Sequence, residues 1–139
     1  MNSERSFPKV ITAPQWRQIV DSALDTAIIS TDPQGRVTSW NTGAVRILGY
    51  EESEMLGQKL DVLCTKEDQS KGVVAREIAD ATSIGRGGGE EGWRVRKNGE
   101  LFWAMGELSP IREDGQIVGF VKVLRDRTTQ RRAEEDLIE

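Results

Sequence analysis

The side chains that most often perform catalysis or bind metals are scarce in this sequence. Its 139 residues include no histidine and a single cysteine, Cys64. Without histidine, the chain cannot build a Ser-His-Asp or Cys-His catalytic group, a Cys/His zinc site or a histidine-ligated haem. A single cysteine also excludes an intramolecular disulfide, which suits a reducing compartment. The remaining reactive groups are carboxylates, hydroxyls, lysines and one thiol.

The carboxylates and the glycine-rich segment do not assemble a reactive centre. Acidic pairs such as Glu51-Glu52, Glu90-Glu91 and Glu134-Glu135 are adjacent in sequence, and adjacent side chains do not converge in a helix or strand. The run 87–92, GGGEEG, satisfies the dinucleotide-binding pattern G-x-G-x-x-G. It is expected to follow a helix and open a strand, which reverses the Rossmann order. We therefore expect a flexible loop here, and neither catalytic residues nor metal ligands in the chain.

Composition narrows the class of protein further. The 19 Lys+Arg and 23 Asp+Glu residues give a net charge of −4, which makes a nucleic-acid partner unfavourable. The length suits one domain. No apolar segment approaches the ~20 residues of a membrane span, and the N-terminus lacks the apolar stretch of a signal peptide. We expect a cytoplasmic domain without membrane contact in this segment.

Periodicity and turn residues divide the chain into four segments. Residues 1–13 show no period and are expected to form a flexible arm, followed by an amphipathic helix over 14–25. Residues 26–125 are expected to form the core, and 126–139 the start of a C-terminal helix. The apolar stripe of the N-terminal helix consists of Trp16, Ile19, Val20, Ala23 and Leu24.

Turn signals place two strands before the core helices and three after them. The predicted turns are Asp32–Gly35, a two-residue turn at Asn98-Gly99, and Glu113–Gly115. Between the first two turns, the spacing predicts short helices ending at Gly49 and near 52–55, then a longer helix from about Asp68 to Ile84. This order predicts an α+β fold: a five-stranded antiparallel sheet with helices on one face, flanked by the N- and C-terminal helices.

Four stretches of the sequence together resemble the PAS sensor family, over about residues 16–130. They are DPQGRVTSWN, ILGYEESEMLGQKL, RVRKNGELFWAMGELSPI and GQIVGFVKVLRDRT. The closing Asp126-x-Thr128 resembles the family's junction between the last strand and a signalling helix. The resemblance implies a non-catalytic sensory or dimerisation module. Such a module regulates a covalently linked output domain beyond residue 139, such as the histidine kinase of a two-component system.

The resemblance also places a pocket on one face of the sheet. Side chains alternate along a strand, and alignment with the family turns one set inward. The predicted pocket lining is Arg94, Phe102, Ala104, Gly106, Lys122 and Leu124. Small Ala104 and Gly106 leave room for a ligand or for overlying side chains. The two cations must reach solvent, pair with a carboxylate such as Glu77, or bind an anionic ligand.

Comparison with the cofactor-binding branches of the family restricts the cofactor. The photoactive branch links flavin to a cysteine that aligns here with Leu60, four residues before Cys64. Arg94 and Ala104 stand where that branch has two flavin-binding asparagines, and Leu124 where it has a glutamine. These departures exclude a cysteinyl-adduct flavin, and the absence of histidine excludes a histidine-ligated haem. A non-covalent flavin or a small anionic metabolite is the alternative that stays open.

Apolar surface on the outer face of the sheet predicts a homodimer. By alternation, this face carries Trp103, Met105, Val121 and Val123. The N-terminal helix offers the only unassigned apolar stripe, so it is expected to cover part of this face and to present a ridge to a second copy. The predicted interface residues are Trp16, Ile19, Val20 and Trp103. The alternative is that the helix seals its own sheet in a monomer.

Overall fold

Five antiparallel strands form one sheet in the computed structural model, which describes residues 12–138. The strands are β1 (Ala27–Thr31), β2 (Val37–Trp40), β3 (Gly87–Val95), β4 (Leu101–Glu113) and β5 (Gln116–Asp126). The helices are α1 (Ala13–Asp21), α2 (Thr42–Leu48), α3 (Glu52–Met55), α4 (Lys66–Ser70), α5 (Val73–Ile84) and α6 (Thr128–Ile138), with a 3₁₀ turn at Leu60–Leu63. The strands lie in the order β2-β1-β5-β4-β3. The predicted α+β fold is confirmed.

The core lies between the inner face of the sheet and the helices that connect β2 to β3. Alternate residues of β4 and the end of β5 are buried: Phe102, Ala104, Gly106, Leu108, Phe120, Lys122 and Leu124. Trp40, Ile29 and Leu48 are among the largest fully buried side chains packed with them. The alternation of side chains along a strand therefore correctly predicted which of these residues face the core.

The long helix predicted from about Asp68 to Ile84 consists of two helices. Helix α4 ends at Ser70, α5 begins at Val73, and Gly72 between them has a φ of +67°. A residue in the left-handed region ends one run of helical hydrogen bonds, so the chain changes direction before α5 begins.

The glycine run at 87–92 belongs to β3, so the flexible loop expected there is wrong. Gly87 lies so close to α5 that a Cβ atom would overlap the carbonyl oxygen of Glu77. At Gly88, a Cβ atom would come within 2.8 Å of the carbonyl oxygen of Gly106. Glycine lets the strand pass this close to neighbouring backbone, and the run therefore reflects packing.

The Asn98-Gly99 turn has a longer loop than the two residues predicted. The N–H of Arg96 donates to the carbonyl oxygen of Glu100 at 2.9 Å, which leaves three residues in the loop. Only Gly99 among them has a positive φ, +88°. A two-residue type I′ turn needs positive φ at both central residues, whereas a three-residue loop needs one left-handed residue at its end.

Helix α1 is shorter than the predicted 14–25 and packs beside α2. It ends at Asp21 and buries none of its residues, so it does not cover the outer face of the sheet as predicted. Buried Asn41, the N-cap of α2, ties the chain after α1 to the core. Its side-chain amide donates to the carbonyl oxygens of Val20 and Thr26, both at 3.0 Å.

The structure describes most of the predicted C-terminal segment but little of the predicted N-terminal arm. The predicted arm, 1–13, lies almost wholly outside the described residues. Helix α6 begins at Thr128, within the segment 126–139 where a C-terminal helix was predicted. Within residues 12–138, no helix combines the length and the apolar composition that crossing a membrane requires.

Candidate functional site

Buried Lys122, partly buried Arg94 and the buried carboxylate of Glu77 meet on the inner face of the sheet. Lys122 on β5 donates from Nζ to Oε1 of Glu77 on α5 at 2.7 Å, and their side chains are 6% and 11% exposed. Arg94 on β3 places Nη2 3.5 Å from Oε2 of Glu77 and Nη1 3.7 Å from Oδ2 of Asp68 on α4. Of the three alternatives for these cations, the contacts therefore show pairing with carboxylates, which compensates their burial.

A small residue on β4 makes room for the Lys122 side chain. A Cβ atom at Gly106 would lie 2.8 Å from Cε and 3.1 Å from Nζ of Lys122. The ammonium group therefore passes over the backbone of Gly106 to reach Glu77. The space predicted above Gly106 is therefore filled by the Lys122 side chain.

The enclosed space between α5 and the inner face of the sheet is small, although an open groove of about 780 Å³ between α5 and β3 includes Glu77 and Arg94 in its lining. One cavity of about 10 Å³ is lined by Leu60, Leu63, Cys64, Val74, Glu77, Arg94, Lys122 and Leu124. That volume holds about one water molecule, whereas small-molecule pockets commonly measure about 300–1,000 Å³. Three of the predicted lining residues reach it, namely Arg94, Lys122 and Leu124. The others are buried elsewhere on the same face: Phe102, Ala104 and Gly106.

Cys64 and Leu60 form part of the apolar wall of this cavity. They are 5% and 3% exposed. Burial raises the pKa of the Cys64 thiol above its ordinary value, which disfavours the reactive thiolate. A flavin ring system does not fit a cavity of about 10 Å³, so the arrangement of these residues does not suit a non-covalent flavin.

Arg96 connects the core to the last residue of β5. Its guanidinium group lies over the buried ring of Phe102, with 4.2 Å between Cζ and the ring centroid. Nη1 donates to the carbonyl oxygen of Ile47 at 2.6 Å, and Nη2 donates to Oδ2 of Asp126 at 2.7 Å. One side chain therefore joins the end of α2, the core and the predicted signalling junction.

Asp126 and Thr128 attach the first turn of α6 to the sheet. Oδ1 of Asp126 accepts from the N–H of Thr128 at 2.9 Å, and the hydroxyl of Thr128 accepts from the N–H of Trp103 at 3.1 Å. Burial opposes ionisation of Asp126, but hydrogen bonds from Thr128 and Arg96 outweigh it and hold the pKa of its carboxyl below the ordinary value. Arg96 is not among the site residues predicted from the sequence, although a period of two places it on the same face as Arg94.

Trp93 and Trp103 form an aromatic pair on the outer face of the sheet. Their ring centroids are 5.0 Å apart and the planes meet at 76°. Arg131 of α6 stacks on both, with Cζ 3.9 Å from the Trp103 centroid and 4.8 Å from that of Trp93. Trp103, predicted to lie in a dimer interface, is therefore partly covered by α6 of its own chain.

The other predicted interface residues lie on α1. Trp16 and Ile19 are 58% and 50% exposed, and Val20 is partly buried. Arg17 holds α1 against its neighbours, because its Nη2 donates to the carbonyl oxygen of Trp40 at 3.2 Å and its Nη1 lies 3.1 Å from Glu52. The apolar stripe of α1 therefore faces outward.

The PAS domain profile matches residues 25–129, which is most of the described chain. The chain belongs to the PAS domain family. PAS domains are sensory and non-catalytic, so this segment is a sensory module and the match is consistent with the fold described above.

Curated relatives of this PAS domain are much longer signalling proteins. It is 39% identical over 123 residues to Two-component system protein A of Emericella nidulans, covering 88% of this chain and 18% of the relative. It is 33% identical over 131 residues to the cell-division control histidine kinase PdhS of Brucella ovis, covering 88% of this chain and 12% of the relative. The PAS domain thus spans less than one fifth of either relative.

Solved structures share the fold. The PAS domain of a Colwellia psychrerythraea protein matches with a TM-score of 0.75 at 27% identity, covering 84% of this chain and 97% of that chain. An RNA-binding light-oxygen-voltage receptor matches with a TM-score of 0.74 at 20% identity, covering 99% of this chain and 39% of that chain. The second similarity shows the fold alone.

Proposed function

We propose that this PAS domain is the sensory and dimerisation module of a longer two-component signalling protein. In that protein it regulates a histidine kinase output domain through α6. Two relatives support this assignment, since one is named a two-component system protein and the other a histidine kinase. The chain contains no histidine, so the phosphorylated histidine of such a protein lies in another part of its sequence.

The observation that carries the proposal is the position of Arg96. Its guanidinium group contacts the ring of Phe102 in the core and the carboxylate of Asp126 at the start of α6. A guanidinium–carboxylate hydrogen bond is stronger and more directional than a neutral one. A displacement of Phe102 is therefore transmitted through Arg96 to the residue that caps α6.

The route from the core to α6 is short because each step is a direct contact. Asp126 bonds to the backbone of Thr128, and Thr128 in turn accepts from the backbone of Trp103. Helix α6 therefore inherits its direction from the end of β5. A small displacement at the end of β5 would change the direction in which α6 leaves the domain. An attached output domain can respond to that change in direction.

The sensing step in this proposal uses no flavin, because the interior is filled by side chains. An anionic metabolite would have to displace the Glu77 carboxylate, which already occupies the position between Lys122 and Arg94. The proposal therefore assigns the signal to rearrangement of the packed core or of a protein contact.

Dimerisation is supported by apolar surface on α1. Trp16 and Ile19 are at least half exposed, and Leu24 just after the helix is 44% exposed. Grouped apolar side chains in contact with water favour association. In this proposal, α1 of one protomer packs on α1 of a second copy.

The proposed role is tested by joining the 139-residue chain to the catalytic region of a histidine kinase and measuring autophosphorylation. We expect D126N to change the rate several-fold, and R96A to reproduce that change, because both break the Arg96–Asp126 contact. The matched control is D136N, the same substitution at an exposed residue of α6. If D126N and D136N have the same effect, the proposed route is wrong.

A further inference from the structure

Among residues 128–137 of α6, Arg131 is the last that is partly buried. From Arg132 to Leu137, every residue of the helix is exposed. Before it, Thr128 bonds to the backbone of β4, and Arg127 lies 3.4 Å from Glu91. The second turn of α6 is therefore held on the sheet by the stacking of Arg131 and by the contact of Glu134 with Arg127 at 3.5 Å.

The two indoles form a slot with the features that bind a guanidinium group. Trp103 and Trp93 present their rings at 76° to one another, and the guanidinium carbon of Arg131 lies within 5 Å of both centroids. Glu91 accepts from Nε1 of Trp103 at 2.9 Å, which fixes the orientation of that ring and adds a negative charge beside the slot. Planar cations stack on such rings better than a compact ammonium group does.

The contact made by Arg131 is incomplete. Its Nη1 is buried and has no hydrogen-bond partner among the described residues. A buried nitrogen without an acceptor offsets part of the stacking energy. Nε of Arg131 donates to Oε1 of Glu135 at 2.9 Å, so Arg131 is held by one ion pair and by stacking, with one nitrogen unsatisfied.

The slot is also accessible from outside. Trp93 is 42% exposed and the neighbouring Leu101 54% exposed. Both border a recess of about 440 Å³ that Arg132 and Glu135 of α6 also line. A side chain from another protein can reach the rings without unfolding the sheet.

We propose that Trp93 and Trp103 form a guanidinium-binding slot that Arg131 occupies within the chain. An arginine side chain of a protein partner binds there in place of Arg131 and frees the second turn of α6. Displacing Arg131 frees Glu135, which accepts from its Nε at 2.9 Å, so a partner that brings a guanidinium group to the slot can regain this pair. The effect on output rests on the proposed role of α6 in signalling. The binding step does not.

The slot is tested with ethylguanidinium as the probe and the indole N–H signals of the four tryptophans as the readout. R131A empties the slot, so we expect the Trp93 and Trp103 signals to shift. Ethylguanidinium should then move them back in a saturable way that sodium chloride does not reproduce. R132A is the matched control, since it removes an exposed charge from the next position, and it should leave both signals in place. The Trp40 signal reports folding, because its Nε1 donates to the buried carbonyl of Tyr50.

Competition with Arg131 predicts a difference in affinity. Half-saturation should need about five-fold less ethylguanidinium in R131A than in the wild type, as expected for displacing a contact worth about 1 kcal/mol. Butylammonium should bind R131A more weakly. Equal affinity in R131A and wild type, or equal spectra for R131A and R132A, would overturn the proposal. Because these measurements use no kinase, they stand whether or not the proposed function holds.

Discussion

Lys122 and Glu77 form an ion pair in the core of the domain, with 2.7 Å between Nζ and Oε1. The two residues come from β5 and α5 and are 45 positions apart. Arg94 approaches the second oxygen of the same carboxylate. Two cations thus share the Glu77 carboxylate, and Asp68 is a second carboxylate near Arg94. Removing Glu77 leaves Lys122 without its ion-pair partner.

The first prediction concerns this carboxylate. We expect E77A to lower the free energy of unfolding by about 3–5 kcal/mol, the usual cost of leaving a buried charge without its partner. Urea denaturation measures it. Formate can replace the missing carboxylate between Lys122 and Arg94, so it should stabilise E77A more than the wild type. The control is E67A, which breaks an exposed pair with Lys71 and should leave the midpoint nearly unchanged. Equal gains from formate in E77A and wild type would contradict the prediction.

The second prediction concerns pH and Asp126. Its carboxyl has a pKa below the ordinary 3.8 in the folded chain. The ionised form therefore stabilises the fold above the ordinary pKa, and this contribution disappears as the pH falls through the folded-state pKa. We expect the stability difference between wild type and D126N to be largest near about pH 6 and to shrink below about pH 4. The matched control is D136N, which makes the same substitution at an exposed residue of α6. A difference for D126N that stays constant in acid would refute the argument.

The third prediction tests why β3 begins with glycine. A Cβ atom at Gly87 would overlap backbone of α5, whereas at Gly92 the nearest atom is Nη1 of Arg94 at 3.5 Å. We expect G87A to destabilise the domain by about 3 kcal/mol through overpacking. G92A should be close to wild type, because alanine costs less chain entropy than glycine. Thermal and urea denaturation of both variants decide the matter. Equal stabilities would show that the close approach of β3 to α5 is not needed.

The fourth prediction concerns the homodimer. We expect the 139-residue chain to sediment as a dimer at micromolar concentration, and W16E to weaken association at least about tenfold by placing a charge in an apolar contact. Deleting residues 1–24 should act in the same direction. I84E is the matched control, because Ile84 is 75% exposed at the end of α5. A monomeric wild type, or a dimer that W16E leaves intact, would rule out the proposed interface.

Features that depend on near neighbours could be predicted from the sequence. Helix ends at Gly49 and Gly85 follow from residues that adopt positive φ at low cost. The alternation in β4 and β5 assigned buried and exposed residues to the correct faces, and Asp126-x-Thr128 marked the start of α6. In each case the interaction that determines the local structure joins residues close together in the sequence. The sequence alone is therefore enough to predict these features.

Features that depend on which distant segments meet were decided by the tertiary structure. The glycine run became a strand because it passes against α5, which no local pattern records. Glu77 neutralises Lys122, and Arg96 reaches both Ile47 and Asp126, across separations of 30 residues or more. The outer face is covered in part by Arg131 of α6, where the sequence predicted α1. The spacing of residues along the chain indicates which side chains share a face of a strand or helix. Which element packs against that face depends on the packing of the whole sheet.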